Sequence, residues 1–589
     1  MRIIIFYILV FVTSSTVAQT NLLYGPYLQS ASPNSAFVCW RTNTVTNSKV
    51  NFGTIKTNLN QSVSYFANIT QHQIQLTALI PNTKYYYTVG TTAQKILPDT
   101  FYFYTAPVTG SKQKIKVLAM GDCGTAQPEQ TMVRDAVKYF LNQNYINCLL
   151  LLGDNAYNSG LDNEFTANFF TPYQNQFIFP YSCIYPTLGN HDYANSFVAQ
   201  TNHNIAYHSI FVTPQNGELG GVPSNNNAFY SYNYANIHFI SLDSYGIESG
   251  NRFYDTLGPQ YVWLKQDLIA NTQLWTIVYF HHPPYTMGSH NSDSEGELVY
   301  TRQKVAPLLD RYGVDLVLTG HSHNYERSWM LNGHYGMEAT FNKNLHTIDS
   351  SSGEYDGSQN SCAYFKKTRG KGTVYAVAGA AGVSKGGQAS FPHNAMYFSE
   401  QNKSGAFYFE VYDNRLDTKY IGGDSIVHDK FTIFKNVNKT NLLYMNNNQD
   451  YTIAASWPGN YNWLGQSNFS QTISGTTTTN TLFVVRDSLN CLTDTFKIFP
   501  GTGITEINNT NEYSVYPNPG ADGIKIKINS SDLVKNLKII DGAGRFVKSS
   551  FQIVNENIII NTTDLPSGAY VLKIETDKAI RNYKIIITK

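Results

Sequence analysis

The stretch VDLVLTGHSHNYERS, from Val314 to Ser328, contains a strand and a pair of histidines on which the prediction of the fold rests. Its first six residues are mostly apolar or β-branched, which predicts a short buried strand. The strand ends at Gly320, and His321 and His323 follow in the loop. The carboxyl ends of strands in open α/β sheets are where ligands and catalytic groups collect. A single His-x-His pair is weak evidence for metal binding, so the rest of the chain must supply further ligands.

Other segments repeat this pattern of an apolar run that stops at polar or glycine residues: IKVLAMGD, NCLLLLGD, SCIYPTLGNHD, IHFISLDS, WTIVYFHHPP and GTVYAVAGAAG. Between them, EQTMVRDAVKYFLNQ, PQYVWLKQDLI and RQKVAPLLDRYG have apolar residues at helical spacing. The alternation of strands and helices predicts a layered α/β domain at residues 114–435. Within it, the Gly-, Ser- and Asn-rich segment 334–371 is expected to be an insertion between strands.

Segments with β patterns flank this domain on both sides. Residues 22–106 contain SAFVCWRT, SKVNFGT, HQIQLTAL, TKYYYTVG and TFYFYTAP, which predict a small β-sandwich. The Thr- and Asn-rich stretch 436–504 is predicted to be a β-rich, Ig-like module or a spacer, and residues 513–589 form a further compact β pattern. The chain of 589 residues is therefore predicted to be multidomain, as its length also requires.

Composition and the first residues indicate where the protein acts. Lys and Arg number 42 against 41 Asp and Glu, with no basic block, so a nucleic-acid partner is not expected. Residues 1–18 have one Arg, an apolar stretch too short to span a bilayer and a small-residue end, which predicts a cleaved secretory signal. No membrane span is expected in the mature, exported protein. Its six cysteines could pair there, although the sequence does not give the connectivity.

Five of the strand ends offer metal ligands, in the order Asp122, Asp154, Asn190 with His191, His281, and His321 with His323. A pair of metal ions needs a bridging carboxylate, oxygen and nitrogen donors on both sides, and open positions for water and phosphate. A single Asp at a strand end is more often a turn or helix cap. The whole set in this order predicts a binuclear metal site.

The order GD-x, GD-x-x-Y, GNHD, H-x-P and GH-x-H resembles that of the calcineurin-like metallophosphoesterases. The first motif of the general family is Asp-x-His, whereas Gly124 stands at the place of that histidine here, and Tyr157 can replace it with a phenolate. This exchange, together with GHSHNYERS, resembles the plant-type purple acid phosphatases. GPYLQ and LIPNTKYYYTVG are similar to the fibronectin-III-like N-terminal domain of those enzymes. YPNP, DGAGR and LPSGAYVLKI resemble the C-terminal sorting domain of type IX secretion in Bacteroidota.

The resemblance to purple acid phosphatases implies two ligand sets: Asp122, Asp154, Tyr157 and His323 for the first metal, and Asp154, Asn190, His281 and His321 for the second. Asp154 would bridge the ions. A phenolate is a hard anionic donor, so resemblance and ligand hardness both suggest Fe(III) at the first position. The second set would take a divalent ion, either Fe, Zn or Mn. The family's His-x-Pro spacing selects His281 as the ligand and leaves His282 a supporting role.

The resemblance also implies catalytic residues and an activity. His191 corresponds to a phosphate-contacting histidine, and His290 falls where plant-type enzymes have a further active-site histidine, although a loop histidine without a role is the alternative. Asn291 departs from the plant pattern, in which a second histidine often follows. The expected activity is hydrolysis of phosphate monoesters by metal-activated hydroxide. A phosphodiesterase or nucleotide pyrophosphatase on the same fold, and an inert surface adhesin, are the alternatives.

The sorting domain implies the type IX secretion machinery as a partner and a secreted or cell-surface location, with small-molecule phosphate esters as substrates.

Overall fold

The computed structural model describes residues 20–98, 100–174, 178–500 and most of 513–588, with gaps at 521, 528–533, 543, 548–550, 555–556 and 578–579. The predicted signal peptide, residues 1–18, lies outside the described residues. The chain forms two compact units, Met1–Leu443 with Asn448–Phe499, and Tyr444–Asn447 with Pro500–Lys589.

The N-terminal region of the first unit consists of strands β1 (Leu22–Gln29), β2 (Ala36–Gly53), β3 (Gln61–Leu76), β4 (Lys84–Gly90) and β5 (Phe101–Tyr104). β2 is one long strand where SAFVCWRT and SKVNFGT predicted two. Its pairing with β3 is irregular between Arg41 and Thr46, so both strands continue from a layer with β1 into a layer with β4 and β5. Side chains of both layers, such as Trp40 and Tyr87, share one buried cluster. The predicted β-sandwich is confirmed.

The described residues of the central region form fourteen strands, which are β6 (Ile115–Met120), β7 (Cys148–Leu152), β8 (Cys183–Thr187), β9 (Tyr230–Tyr234), β10 (Ile237–Ser241), β11 (Trp275–Phe280), β12 (Leu316–Thr319), β13 (Tyr325–Ser328), β14 (Tyr364–Lys366), β15 (Val374–Ala378), β16 (Met396–Glu400), β17 (Gly405–Tyr412), β18 (Arg415–Gly422) and β19 (Val427–Lys435). One sheet has the order β14-β19-β18-β17-β6-β7-β8, and β8 continues it to β1. The other has the order β16-β13-β15-β12-β11-β10-β9. Within each sheet the strands that carry the predicted ligands are parallel to one another, β6, β7 and β8 in the first and β11 and β12 in the second.

The α-helices of the described residues are α1 (Pro128–Leu141), α2 (Asp162–Glu164), α3 (Thr171–Tyr173), α4 (Phe197–Asn202), α5 (Tyr207–Ile210), α6 (Pro259–Ala270), α7 (Gly296–Tyr300), α8 (Ala306–Tyr312) and α9 (Lys343–His346). The helix predicted from RQKVAPLLDRYG begins earlier, with α7, and includes a π-helical turn at Thr301–Val305. None of these helices is long and apolar enough to cross a bilayer.

The central region is layered, with the two sheets facing each other and helices outside them. Alternate residues of β6 show this: Val117 and Ala119 share a cluster with Phe239 of the other sheet, whereas Leu118 and Met120 share a cluster with α1. Because both faces of these strands are buried, they are apolar throughout rather than alternating. The predicted layered α/β domain is confirmed.

The segment after the central region continues as strands β20 (Thr440–Met445), β21 (Asp450–Ala454), β22 (Asn462–Trp463), β23 (Thr472–Thr476), β24 (Thr481–Arg486) and β25 (Thr493–Pro500). A disulfide joins Cys491 to Cys362, 129 residues earlier in the chain, within the predicted insertion. The other four cysteines are free and buried.

Where the structure describes it, the second unit forms two four-stranded sheets from β26 (Ser514–Tyr516), β27 (Gly523–Lys527), β28 (Val534–Asp541), β29 (Phe546–Val547), β30 (Phe551–Val554), β31 (Asn557–Asn561), β32 (Gly568–Thr576) and β33 (Ile580–Ile587). Alternating isoleucines, among them Ile524, Ile526, Ile558 and Ile560, fill the core of the unit.

Candidate metal centre

The predicted ligands all follow strands that end at one edge of the two facing sheets. Asp122 follows β6, Asp154 follows β7, and Asn190 follows β8. From the second sheet, His281 follows β11 and His321 follows β12. Because neighbouring strands are parallel, their carboxyl ends lie together and bring these side chains to one place.

Three of these residues have backbone angles in the left-handed region, with φ of 56° at Asp122, 50° at Asp154 and 67° at His321. Such angles cost about 1–3 kcal/mol each for residues other than glycine, and they persist only where the surroundings hold them. The backbone N–H of Asp122 donates to Gly153 O at 3.1 Å, and that of His321 donates to Asp122 Oδ2 at 2.8 Å. The backbone thus fixes the direction in which these side chains point.

Glycine is required at two positions where the backbone packs directly against the carboxylates of Asp154 and Asp122. A Cβ at Gly189 would lie 2.2 Å from Asp154 Oδ1, and one at Gly320 would lie 2.5 Å from Asp122 Oδ2. Both distances are far below contact distance, so any side chain at these positions would displace a carboxylate of the centre.

The first donor cluster surrounds the hydroxyl of Tyr157. This oxygen lies 2.8 Å from Asp122 Oδ1, 3.0 Å from Asp154 Oδ2 and 3.1 Å from His323 Nε2. His323 Nε2 is in turn 3.3 Å from Asp122 Oδ1. The structure therefore brings together the four side chains predicted for the first metal.

The second donor cluster surrounds the side-chain oxygen of Asn190. His281 Nε2 and His321 Nδ1 each lie 3.1 Å from Asn190 Oδ1. His281 Nε2 also lies 3.2 Å from Asp154 Oδ2, the same oxygen that contacts Tyr157. The two clusters are thus adjacent, and Asp154 belongs to both.

The spacing of these atoms fits metal ions. Adjacent ligand atoms about 2.1 Å from one ion lie roughly 3.0–3.4 Å apart. The separations given above fall in this range except that between Tyr157 and Asp122, which is slightly shorter at 2.8 Å. His281 Nδ1 lies 2.9 Å from Leu152 O and donates to it, so Nε2, which faces Asp154 and Asn190, is the nitrogen that would bind a metal ion. The set of carboxylate, phenol, amide and imidazole donors is one that binds iron, zinc or manganese.

The pKa shifts of the donor side chains also support binding of metal ions. Burial, and then the charges of Asp122 and Asp154, raise the pKa of Tyr157 well above its usual value. Burial alone would raise the pKa of Asp154 as well, but the charge of His281 lowers it below the usual range. Conversely, burial opposes the protonation of His281, yet the charge of Asp154 raises its pKa to about 9. The buried carboxylates thus favour positive charge among them, which a metal ion supplies.

The structure explains why Gly124 replaces the histidine of the general motif. A Cβ at this position would lie 1.9 Å from the backbone oxygen of Asn155, so no side chain fits. The Tyr157 N–H donates to Gly124 O at 2.9 Å, which brings the tyrosine to the cluster from the neighbouring loop.

The two predicted catalytic histidines lie beside the donor clusters. His191 Nδ1 donates to Asn158 O at 2.7 Å, and its Nε2 lies 3.9 Å from Asp154 Oδ2. The ring of His290 stacks on His321, with centroids 3.8 Å apart. Both side chains are partly exposed, unlike the ligands that they contact.

Glu295 and Asp192 are residues of the site that the sequence analysis missed. Glu295 Oε2 lies 2.8 Å from His290 Nδ1, and Glu295 Oε1 accepts the backbone N–H of Asn291 at 2.7 Å. Asp192 accepts hydrogen bonds from the backbone of Gly189 and from Asn155, which ties two ligand loops together. In the sequence, Glu295 is marked only as an acidic residue five positions after His290, and Asp192 only as the aspartate that ends the GNHD motif.

His282 lies next to the second cluster. One ring nitrogen of His282 lies within 4.8 Å of a ring nitrogen of His281 and of one of His321. Its Nδ1 is hydrogen bonded to Ser244 Oγ at 2.8 Å, and its backbone N–H donates to the same oxygen. Burial, and then the charge of His321, lower its pKa well below the usual value, so this imidazole is neutral.

Comparisons with known proteins agree with this geometry. Residues 115–325 match the family model of calcineurin-like phosphoesterases, residues 24–105 that of the purple acid phosphatase N-terminal domain, and residues 514–588 that of the secretion system C-terminal sorting domain. Purple acid phosphatase 15 of Arabidopsis thaliana is 28% identical over 48% of this chain and 57% of its own length. Purple acid phosphatase 18 of the same plant is 35% identical over 25% of this chain and 31% of its own length.

The chain therefore spans less than two thirds of each of these relatives. Among solved structures, purple acid phosphatase PPD1 from yellow lupin (Lupinus luteus) seeds has the same fold, with a TM-score of 0.53 and 19% identity over 70% of this chain and 74% of that one. The sorting domain supports secretion or export to the cell surface. The chain thus carries a purple acid phosphatase N-terminal domain, a calcineurin-like phosphoesterase domain and a sorting domain, and its predicted similarity to the purple acid phosphatases is confirmed.

Proposed function

We propose that this protein is an exported acid phosphatase that hydrolyses phosphate monoesters at a centre of two metal ions. The observation that carries the proposal is the position of Asp154 Oδ2, 3.0 Å from the hydroxyl of Tyr157 and 3.2 Å from His281 Nε2. One carboxylate shared by two donor clusters is the arrangement that a binuclear hydrolase needs.

The two clusters would hold different ions. Asp122, Asp154, Tyr157 and His323 would bind Fe(III), and Asp154, Asn190, His281 and His321 would bind a divalent Fe, Zn or Mn ion. The position of the Tyr157 hydroxyl supports this, because it lies 2.8 Å from Asp122 Oδ1 and 3.0 Å from Asp154 Oδ2, and a phenolate is a hard donor that suits a trivalent ion. When bound, the two ions lower the pKa of a water molecule and neutralise the charge of the phosphate ester.

The chain's own catalytic side chains would bind the phosphate and move a proton. His191 keeps its Nδ1–H on Asn158 O, so Nε2 is available to a phosphate oxygen near Asp154. His290 donates from Nδ1 to Glu295, which leaves Nε2 to protonate the leaving oxygen. Glu295 fixes the orientation of the His290 ring through this hydrogen bond.

The flanking regions would bring the enzyme to its place of action. We propose the domain boundaries of the sequence analysis, with a cleaved signal at 1–18 and the sorting domain at 513–589. The signal would direct the chain through the inner membrane, and the sorting domain would be recognised by the type IX secretion machinery. The mature enzyme would act outside the cell or on its surface, on small phosphate esters.

A comparison of two substrates tests the activity. The purified, iron-loaded protein is assayed with p-nitrophenyl phosphate and with bis-p-nitrophenyl phosphate, and its metal content is measured. We expect about two metal ions per chain and a higher kcat/KM for the monoester. A faster reaction with the diester would indicate a phosphodiesterase, and a metal-free, inactive protein would favour an adhesin.

A further inference from the structure

A further group of metal-ligating side chains, which we call the His203 cluster, consists of His203, Asp243 and Glu248. Each offers one ligand atom, and the three atoms lie within 4.8 Å of one another. His203 directly follows α4, whereas Asp243 and Glu248 lie in the loop after β10. None of the three has a role in the proposed chemistry. Two segments that are distant in the sequence thus bring an imidazole and two carboxylates together.

The ring of His203 is oriented by a tyrosine. The hydroxyl of Tyr193 donates to Asp243 Oδ2 at 2.6 Å and lies 3.2 Å from His203 Nδ1. Because the hydroxyl hydrogen is directed at Asp243, Nδ1 must donate its own hydrogen to the Tyr193 oxygen. His203 Nε2 lies 3.2 Å from Ile247 O and 3.4 Å from Glu248 Oε1. Both of these neighbours are oxygens that accept, so Nε2 requires a proton or a metal ion beside it.

The carboxylate oxygens indicate which of the two fits better. Glu248 Oε1 is buried and accepts no hydrogen bond among the described residues, so a proton on Nε2 would serve Ile247 O and leave Oε1 unpaired. Asp243 Oδ1 accepts the backbone N–H groups of residues 245 and 246, at 3.0 and 2.9 Å. Asp243 Oδ2 accepts the hydroxyl of Tyr193, which leaves one of its two lone pairs for a further partner. A metal ion could contact both carboxylates.

The charges around the cluster also favour a cation. Burial raises the pKa of Asp243 and of Glu248, so their negative charges are costly here. Within the part of the chain that the structure describes, His203 is the only basic side chain that pairs with either carboxylate. A second imidazole, His208, has its ring 6.0 Å from that of His203, and both of its nitrogens are buried without a hydrogen-bond partner among the described residues.

We infer that His203, Asp243 and Glu248 bind a divalent transition-metal ion such as Zn²⁺, in addition to the ions of the two donor clusters. Imidazole and carboxylate groups together are ligands that such ions prefer. His203 supplies Nε2, Glu248 supplies Oε1, and Tyr193 fixes the ligand ring from its other side, as outer partners of metal-binding histidines do. The ion joins the segment that contains α4 to the loop after β10.

This additional ion would hold in place two segments that border the second donor cluster. Tyr193 is three residues beyond the proposed ligand Asn190. The ring of Tyr245, in the loop after β10, stacks on that of His282 with centroids 5.4 Å apart. The site is thus a structural one, and it does not depend on the reaction that the two-metal centre catalyses.

Metal content tests the site. The iron-loaded full-length protein is equilibrated with Zn²⁺, unbound metal is removed, and total metal per chain is measured. The wild type should retain about one ion more than Glu248→Gln and than His203→Gln. Asp255→Asn, a carboxylate of the same loop that lies outside the cluster, is the matched control and should retain as much as the wild type.

The difference in content decides the inference whatever the two-metal centre binds. If that centre failed to bind metal, the wild type would still retain one ion and Glu248→Gln none. Circular dichroism checks that the variants are folded, and His203→Gln, at a partly exposed position, replaces Glu248→Gln if the latter does not fold. Equal metal content in the wild type and the folded variants would overturn the site and leave His203 as an imidazolium paired with Glu248.

A change outside the three ligands tests the orientation of His203. Tyr193→Phe keeps every ligand but removes the hydroxyl between His203 Nδ1 and Asp243. Loss of such an outer partner typically costs about 10–100-fold in metal affinity, so we expect Zn²⁺ to bind at least about tenfold more weakly. Competition with a chromogenic zinc chelator measures the affinity. An unchanged affinity would contradict the proposed role of Nε2 as the ligand atom.

Discussion

The two donor clusters differ in charge although they share Asp154. The first is built from a carboxylate, a phenol and an imidazole, and the second from an amide and two imidazoles. Both occupy the same kind of position, the carboxyl ends of parallel strands. The difference shows that the fold brings ligands together, whereas the side-chain types decide which ion each cluster prefers.

The largest effect is expected when the shared carboxylate is changed. Asp154→Asn removes the negative charge from both clusters, so both ions should bind weakly and the distinction between the clusters should disappear. Since a metal centre supplies several kcal/mol of transition-state stabilisation, kcat/KM should fall on the order of 10³-fold or more. Metal analysis and a phosphomonoester assay check this. A variant that retained one tightly bound ion would show that Asp154 serves only one cluster.

A smaller loss of metal is expected when only the first donor cluster is changed. Tyr157→Phe keeps the buried ring but removes its oxygen, so Fe(III) should bind less tightly while the divalent ion stays. The wild type loaded with iron should be purple or pink, because a phenolate on Fe(III) absorbs visible light, and the variant should be colourless. Absorption spectra and iron content check the prediction. Colour that survived in the variant would contradict the proposed role of Tyr157.

The converse experiment changes only the second donor cluster. His281→Ala should lose the divalent ion and keep Fe(III) with its visible band, with kcat/KM reduced on the order of 10²-fold, as for the loss of an important charge-stabilising group. His282→Ala is the matched control, since it removes the neighbouring imidazole and should retain both ions. Loss of the visible band in His281→Ala would mean that the clusters do not bind independently.

A change outside both clusters should separate catalysis from metal binding. His290→Ala should keep both ions and the colour, and should lower kcat by about 10²-fold for esters with poor leaving groups, as for the loss of a general acid. The decrease should be much smaller for p-nitrophenyl phosphate, whose leaving group needs little protonation. The same decrease for both substrates would remove His290 from the acid role and leave it a positioning function.

The smallest effect on activity is expected from a truncation far from the clusters in the sequence. Truncation after Gly503 removes the sorting domain, and all seven proposed ligands precede that point in the sequence. Phosphatase activity in a cell lysate should therefore be unchanged, whereas export beyond the periplasm should be lost. Fractionation of cells that produce the full and the truncated chains measures both effects. A folded but inactive truncated protein would place part of the active site in the removed segment.

The strand ends and the ligand order could be predicted from the sequence because buried parallel strands leave long apolar runs that stop abruptly. IKVLAMGD and NCLLLLGD are such runs, and they became β6 and β7. The supporting residues could not be predicted in the same way. Glu295 lies in a loop whose path depends on contacts with distant segments, such as the one between Ser289 and His323.

Pairing between distant segments could not be predicted from the sequence either. The disulfide from Cys362 to Cys491 spans 129 residues, and nothing in the local pattern of either segment indicates the other. Likewise, β2 was predicted as two strands because its polar middle, around Thr42 to Asn47, interrupts the alternation. A bulged strand and a turn produce the same local pattern, and only the partner strand β3 distinguishes them.

The tight approach of Gly124 to the neighbouring loop bears on how such centres can evolve. Since a side-chain carbon at 124 would lie 1.9 Å from a backbone oxygen, Gly124→His cannot add the missing nitrogen ligand without moving the loop that carries Asp154. A phenolate centre and an Asp-x-His centre are therefore separated by a backbone rearrangement, and intermediates between them would carry a damaged bridge. Selection acting one substitution at a time would tend to keep a lineage on whichever side of that barrier it began.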